Sequence, residues 1–261
     1  MNLDLKNKTA VVCGATQGIG FGIAQKLSRE GVSLILVARN KEKLVSCINS
    51  LTNPKSHSFV CVDFSKPKKL ELELIKYFKK NKPSVHILIN NTGGPKSGPI
   101  TNAKLEDFTN GFNMHVLCNQ ILTNLVVPSM KKLGYGRIIN IISTSVKIPI
   151  SNLGVSNTIR GAVANWSKTL ANELGEFQIT VNNILPGYTN TNRLKSLFEV
   201  MAKSKKKSIK DIKKNIIENV PLKRLGEVDD VANIVTFLAS ERASYISGVN
   251  IPVDGGRTGS L

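Results

Sequence analysis

Three glycines at a fixed spacing carry the clearest chemical signal in this chain. Gly14, Gly18 and Gly20 follow a short apolar segment and open a stretch of helical periodicity. Glycines at such a junction let the backbone approach a pyrophosphate, whose charge is met by the free N–H groups at the start of the helix. A purely structural turn is the alternative, but the position at the first strand-to-helix junction favours phosphate binding. The predicted binding residues are Gly14, Thr16, Gln17, Gly18, Ile19 and Gly20.

Arg39, which follows the second predicted strand, indicates the type of dinucleotide. A site that prefers NAD usually places an acidic side chain there to hold the ribose 2′-hydroxyl, whereas an arginine can pair with a 2′-phosphate. The sequence therefore favours NADP(H) over NAD(H). A surface arginine on a loop is the alternative, and Gln17 supplies no second positive charge.

Short apolar segments alternate with amphipathic segments along the chain, which is typical of a parallel sheet with helices on both faces. The predicted strands are residues 9–13, 33–38, 58–62, 86–90, 136–142, 180–185 and 249–253. The predicted helices are residues 18–30, 41–50, 67–80, 105–132, 153–175 and 228–240. This pattern predicts one α/β domain over residues 1–261, built on a doubly wound, seven-stranded parallel sheet.

Residues 190–221 interrupt the alternation. They form a long lysine-rich stretch between a predicted strand and a predicted helix. Ligands of doubly wound sheets bind outside the carboxyl ends of the strands. We therefore expect this segment to be a helical insertion that acts as a substrate lid.

Further motifs follow in the order of a known family. Asp63 follows the third strand, residues 90–93 read Asn-Asn-Thr-Gly, a serine ends the fifth-strand segment at Ser143, and Pro186-Gly187 follows the sixth strand. With the Gly-x-x-x-Gly-x-Gly turn, the chain resembles the short-chain dehydrogenase/reductases over essentially its whole length. These are single-domain Rossmann enzymes that transfer a hydride between a nicotinamide cofactor and a carbonyl or alcohol. The 3-oxoacyl-acyl-carrier-protein reductase branch is the most similar.

The resemblance implies the other cofactor contacts. Asp63 would contact the adenine, the turn after the fourth strand would lie beside the adenosine ribose, and the segment after the sixth strand would hold the nicotinamide carboxamide. The residues concerned are Asp63, Asn91, Thr92, Gly93, Pro186, Gly187, Thr189 and Thr191. Cys13 departs from the family, which often has threonine there; this change would cost a local hydrogen bond.

The expected catalytic pair is replaced. Ser143 matches the catalytic serine of the family, but Ser156 stands where the family has tyrosine and Arg160 where it has lysine. A serine hydroxyl is a far weaker acid than a phenol, whose pKa is about 10. Ser156 could still form a hydrogen bond to a carbonyl or a water. Arg160, one helical turn further on, could bind the nicotinamide ribose and keep its positive charge.

Other polar residues are candidates for proton transfer. Asn113 matches the family asparagine that supports a proton-relay water. His115 lies two residues on, a spacing that points to a different face of a helix, so it is expected to be structural. Tyr188 and Lys147 are alternative proton donors.

Composition limits the partners and the compartment. The net charge is +18, from 36 basic and 18 acidic residues, and would attract phosphate-bearing cofactors, an acidic carrier protein or nucleic acid. The dense lysine run at 203–214 has no interleaved aromatic residues, which disfavours nucleic acid.

The scattered cysteines suggest buried thiols, with neither a zinc site nor a disulfide framework. Without an apolar leader or spanning segment, a cytoplasmic protein is expected.

Two functions follow from these motifs. The first is an NADP(H)-dependent reductase that acts on a carbonyl, alcohol or acyl thioester, with an acyl carrier protein as a possible partner and a homodimer or homotetramer as the assembly implied by the resemblance. The second is a catalytically impaired protein of the same fold that senses NADP(H) or acts through a partner. Loss of the tyrosine and lysine motivates the second.

Overall fold

The computed structural model describes residues 2–260. Within this range seven strands form one sheet, every neighbouring pair is parallel, and the order is β3-β2-β1-β4-β5-β6-β7. The strands are β1 Thr9–Cys13, β2 Ser33–Ala38, β3 Ser58–Cys61, β4 Ile87–Asn90, β5 Gly136–Ile141, β6 Ile179–Pro186 and β7 Asn250–Val253. From β1 the chain adds β2 and β3 on one side of the sheet and then returns to add β4 to β7 on the other side, as in a doubly wound fold. The predicted fold class is confirmed.

Nine α-helices lie in the same range. They are α1 Gly18–Arg29, α2 Lys41–Asn49, α3 Pro67–Asn81, α4 Leu105–Phe112, α5 Cys118–Leu133, α6 Gly154–Leu174, α7 Asn192–Lys205, α8 Ile209–Glu218 and α9 Val228–Leu238. Apolar residues of α1, α2 and α9 form a core on one face of the sheet, and those of α3, α5 and α6 form a core on the other. Most strand residues that face these cores are apolar because helices cover both faces of the sheet.

The single helix predicted over residues 105–132 is wrong. A π-helical turn, Asn113–Leu117, separates α4 from α5. A π-helical turn inserts one extra residue into the helix, so the side chains after it point in other directions than they would on an uninterrupted α-helix. The other predicted elements have boundaries within two residues of those observed, a difference expected at frayed ends.

Residues 190–221 comprise α7, α8 and short connections. The two helices share a small apolar core formed by Leu194, Phe198, Ile212, Ile216 and Leu225. The two ends of the segment are joined: Asn190 N–H donates to the Gly226 carbonyl at 2.8 Å, and Gly226 N–H donates to the Tyr188 carbonyl at 2.9 Å. The segment thus leaves and re-enters the domain at one place.

A row of asparagines crosses four neighbouring strands of the sheet. Asn90, Asn140, Asn183 and Asn250 are in register on β4, β5, β6 and β7. Asn90 donates to Asn140 at 2.8 Å, Asn140 to Asn183 at 3.0 Å and Asn183 to Asn250 at 2.8 Å. Side-chain hydrogen bonds therefore tie together the four strands whose carboxyl ends lead into the predicted site.

All four cysteines are free thiols, but the expectation that they are buried fails at one position. Cys13, Cys47 and Cys118 are buried, whereas Cys61 at the end of β3 is exposed. β3 is the outermost strand on its side of the sheet, so its last residue lacks cover. In the part of the chain that the structure describes, no helix is both long and apolar enough to cross a membrane.

Candidate cofactor and active site

The glycine turn connects β1 to the open N-terminus of α1. Gly14 and Gly18 have φ angles of +58° and +55°, which favour glycine. A Cβ on Gly20 would lie 2.3 Å from the Gly14 carbonyl oxygen, so the turn closes only without one. The side-chain amide of Asn91 holds the turn by donating to the Cys13 and Gly14 carbonyls at 3.3 and 3.4 Å.

This turn fits a phosphate-bearing group. The side chain of Gln17, at the N-cap, does not cap α1, and the first turn contains no acidic residue. The helix therefore presents backbone N–H groups and the positive end of its dipole at the carboxyl edge of the sheet. Thr191 lies across the turn, because a Cβ on Gly18 would be 3.3 Å from its methyl group.

Arg39 and Asp63 lie at the ends of two neighbouring strands, β2 and β3. Arg39 is exposed and Asp63 is half-buried. Burial alone would raise the pKa of Asp63, but hydrogen bonds from Ser65 and the nearby charges of Arg39 and Lys66 lower it. Asp63 is thus held as a carboxylate close to the Arg39 guanidinium, at the side of the glycine turn where the adenosine half of a dinucleotide would lie.

The segment after β6 lies on the other side of the glycine turn from Arg39 and Asp63. Pro186 ends the strand, and Gly187 packs so closely that a Cβ would lie 2.6 Å from the Cβ of Asp254. Thr189 is buried. The Thr191 side chain caps α7 by accepting from Leu194 N–H at 3.3 Å. These contacts place the predicted carboxamide-binding residues just before α7.

Arg160 reaches from α6 to the carboxyl end of β5. Its Nη1 donates to the Ile141 carbonyl at 3.0 Å, two residues before Ser143. Burial and the charge of Arg193 lower the pKa of Arg160 to about 10. Ser156 is buried one turn earlier on the same helix, and the Ser143 hydroxyl oxygen accepts from Ser145 N–H at 3.1 Å. Ser143, Ser156 and Arg160 are thus positioned by β5 and α6.

The π-helical turn gives His115 a position that the helical spacing does not predict. Asn113 begins the turn, and His115, only 2% exposed, has Nδ1 2.8 Å from the Thr92 hydroxyl. Burial and the charges of Arg160 and Arg193 lower the pKa of His115 well below its usual value. His115 is therefore neutral at neutral pH and contacts the predicted ribose turn.

Arg193 is a residue that the sequence analysis missed. It lies on the first turn of α7 and donates from Nη1 to the Gly94 carbonyl at 3.3 Å, which connects α7 to the loop after β4. Its position two residues after Thr191 was the only available signal. The alternative proton donors are placed differently: the Tyr188 ring packs under the Arg257 guanidinium at 4.7 Å, and Lys147 follows a short turn after β5.

Known proteins are similar to this chain in sequence. A family model described as enoyl-(acyl carrier protein) reductase matches residues 14–258. The NADPH-dependent reductase BacG of Bacillus subtilis is 30% identical over 259 residues, which cover 98% of this chain and 100% of that protein. The 3-oxoacyl-[acyl-carrier-protein] reductase FabG of Buchnera aphidicola is 32% identical over 256 residues, which cover 97% of this chain and 98% of that protein.

A solved structure extends the similarity to three dimensions. The L-sorbose reductase from Gluconobacter frateurii, in complex with NADPH and L-sorbose, superimposes with a TM-score of 0.92 at 29% identity, and the match covers 100% of both chains. The strand order, the glycine turn and these matches agree with one another. The chain belongs to the short-chain dehydrogenase/reductase family and is an oxidoreductase.

Proposed function

We propose that this protein is an NADP(H)-dependent reductase that transfers a hydride between nicotinamide and a carbonyl or alcohol substrate, similar to the 3-oxoacyl reductases. The observation that carries the proposal is the uncapped N-terminus of α1 beside Gly14 and Gly18, with Arg39 at the end of the adjacent strand. The NADPH dependence stated in the name of a relative aligned over almost the whole chain supports it.

Different residues of the chain would bind different parts of the cofactor. The glycine turn and α1 would bind the diphosphate, Arg39 the 2′-phosphate, Asp63 the adenine, and Asn91, Thr92 and Gly93 the adenosine ribose. Arg160 would bind the nicotinamide ribose, and Pro186, Gly187, Thr189 and Thr191 the carboxamide. NADPH supplies the hydride when bound.

The catalytic residues we propose form an atypical set. Ser143 and Ser156 orient the substrate oxygen by hydrogen bonding, and Asn113 supports a water. Arg160 stabilises negative charge that develops on that oxygen, because a pKa of about 10 leaves the guanidinium charged at neutral pH. Serine is too weak an acid to replace a phenol, so the proton comes from water and not from Ser156.

Surface and lid features suggest how the substrate is presented. We propose that α7 and α8 form a substrate lid over residues 190–221, since they share their own small core and are joined to the domain at Thr189 and Gly226. An acyl carrier protein is the proposed macromolecular partner, drawn to a surface that includes Lys131 and Lys132. We further propose a cytoplasmic homodimer or homotetramer, without nucleic-acid or membrane partners.

A second candidate is a catalytically impaired NADP(H) sensor, favoured by the replacement at Ser156 and Arg160. Isothermal titration with NADPH and NADH, followed by turnover assays with acyl thioesters, ketones, aldehydes and quinones, separates the two functions. Binding with turnover above buffer supports the reductase. Tight binding without turnover supports the sensor, and no binding of either cofactor contradicts both.

A double substitution tests the atypical catalytic set. Ser156→Tyr with Arg160→Lys should abolish the native reaction if Ser156 and Arg160 belong to a different working mechanism. If the scaffold has lost only its acid, the same change should raise general carbonyl reduction by roughly 10²- to 10⁴-fold. Thr158→Tyr, at an exposed position of α6, is the control. A folded double variant that binds NADPH with unchanged activity would show that neither position carries the chemistry.

A further inference from the structure

Three nitrogen-bearing side chains converge without a complete set of partners. Arg160 and His115 are 8% and 2% exposed, and within residues 2–260 the Arg160 Nε and the His115 Nε2 have no hydrogen-bond partner. Arg193 approaches from the lid segment. Its guanidinium lies directly against the backbone of Gly94, because a Cβ there would be 2.5 Å from Nη2. The cluster joins the loop after β4, the π-helical turn, α6 and α7.

The cluster carries uncompensated positive charge. Arg193 is close enough to lower the pKa of Arg160, and both arginines lower that of His115. The ion pairs formed within the described range leave Arg160 and Arg193 without an acidic partner. Burial removes hydration from the Arg160 guanidinium, and the positive charge of Arg193 adds repulsion. An anion bound between them would relieve both effects.

Two anions could come from the reaction itself: the cofactor diphosphate and an acidic group of the substrate. The diphosphate already has the glycine turn and the N-terminus of α1. Arg160 is instead anchored to the Ile141 carbonyl, near Ser143, where the substrate oxygen would lie. Guanidinium groups match the planar geometry of a carboxylate, with two parallel hydrogen bonds. The location and the donor type therefore favour a substrate carboxylate.

We propose that Arg193, supported by the positive charge of Arg160 and with His115 beside them, forms a subsite for a carboxylate of the substrate, so that the substrate is a free oxo acid in place of an acyl thioester on a carrier protein. This inference rests on the proposed reductase function. Arg160 has its anchor on β5, whereas Arg193 has the Gly94 carbonyl as its hydrogen-bond acceptor within residues 2–260. Arg193 is therefore the side chain that can turn toward the carboxylate.

Titration of a matched acid and ester tests the subsite. Wild-type protein saturated with oxidised NADP is titrated with benzoylformate and with its methyl ester, which keeps the ketone but loses the negative charge. The same titrations are made with Arg193→Gln and with Lys195→Gln, an exposed position on α7 that loses the same unit of charge. NADPH affinity and the thermal midpoint are measured for each variant.

The expected result is selective. Wild type binds the acid more tightly than the ester, Arg193→Gln weakens acid binding by roughly tenfold or more, and ester and NADPH affinities stay unchanged. Lys195→Gln changes none of them. The inference is overturned by equal binding of acid and ester, by no acid binding, by equal effects of the two variants, or by a matching loss of NADPH affinity in Arg193→Gln, which would assign Arg193 to the cofactor.

The test separates this inference from the proposed function. If wild type fails to bind NADPH, the reductase proposal fails. The comparison of acid and ester is then made on the protein without cofactor and still decides whether Arg193 binds a carboxylate. If NADPH binds and the acid shows no preference, the subsite alone is wrong.

Discussion

Replacing Asn140 with leucine should destabilise the protein severely, because this side chain is the centre of the asparagine row. Asn140 is fully buried, accepts from Asn90 at 2.8 Å, and donates to Ser167 at 2.7 Å and to Asn183 at 3.0 Å. Leucine has a similar volume, so the change removes hydrogen bonds without opening a large cavity.

The three hydrogen bonds of Asn140 set the size of the loss. Removing the acceptor of Asn90 leaves a buried amide without a partner, at a cost of about 1–3 kcal/mol. Ser167 and Asn183 keep a hydrogen bond to each other at 2.7 Å, so each of the other two losses costs only about 0.5–1.5 kcal/mol. We expect the free energy of unfolding to fall by about 2–6 kcal/mol, a large part of the stability of a typical domain.

Reversible urea unfolding, followed by circular dichroism, measures this change. The midpoint should fall while the slope of the transition stays constant. Asn124→Leu is the control, because Asn124 is exposed on α5 and accepts one hydrogen bond from Gln120; its effect should stay within about 0.5 kcal/mol. A similarly small effect for Asn140→Leu would refute the reasoning that the row stabilises the sheet.

Three further outcomes follow from the site. Arg39→Ala should weaken NADPH binding by about 1.5–3 kcal/mol and barely affect NADH, because a charge-assisted hydrogen bond is lost from only one of them; titration of both cofactors measures this. Gly20→Ala should weaken NADPH binding by about 1–3 kcal/mol, because its Cβ would overlap the Gly14 carbonyl and force the turn apart. Wild type should lose stability as the pH falls below about 6.5, because His115 takes up a proton in the unfolded chain and not in the folded protein. His115→Gln should make this dependence of stability on pH less steep, and urea unfolding at pH 7, 6 and 5 measures the difference.

Each of these outcomes has a clear contrary result. Equal losses of NADPH and NADH affinity in Arg39→Ala would show that Arg39 does not bind the 2′-phosphate. Gly161→Ala is the control for Gly20, because a Cβ there meets no atom within 4 Å; equal NADPH affinities of the two alanine variants would show that the turn tolerates a side chain. If the free energy of unfolding falls by the same amount in wild type and His115→Gln between pH 6.5 and 5, His115 takes up its proton in the folded state.

Local residue types were enough to predict the architecture and the phosphate turn. The buried strands are mostly apolar because helices cover both faces of the sheet, and such segments are visible without knowledge of strand order. The glycines at positions 14 and 18 have positive φ angles, a requirement that acts on single residues. Family membership is supported by relatives that are similar in sequence over nearly the whole chain.

Only the tertiary structure decided how the polar side chains combine. The π-helical turn leaves no mark on the apolar pattern, yet it brings His115 to Thr92. Arg193 meets Gly94 across 99 positions of sequence, and the asparagine row depends on a strand order that places β4, β5, β6 and β7 side by side. These contacts join residues far apart in the chain, and sequence spacing carries no information about them until the sheet brings their strands together.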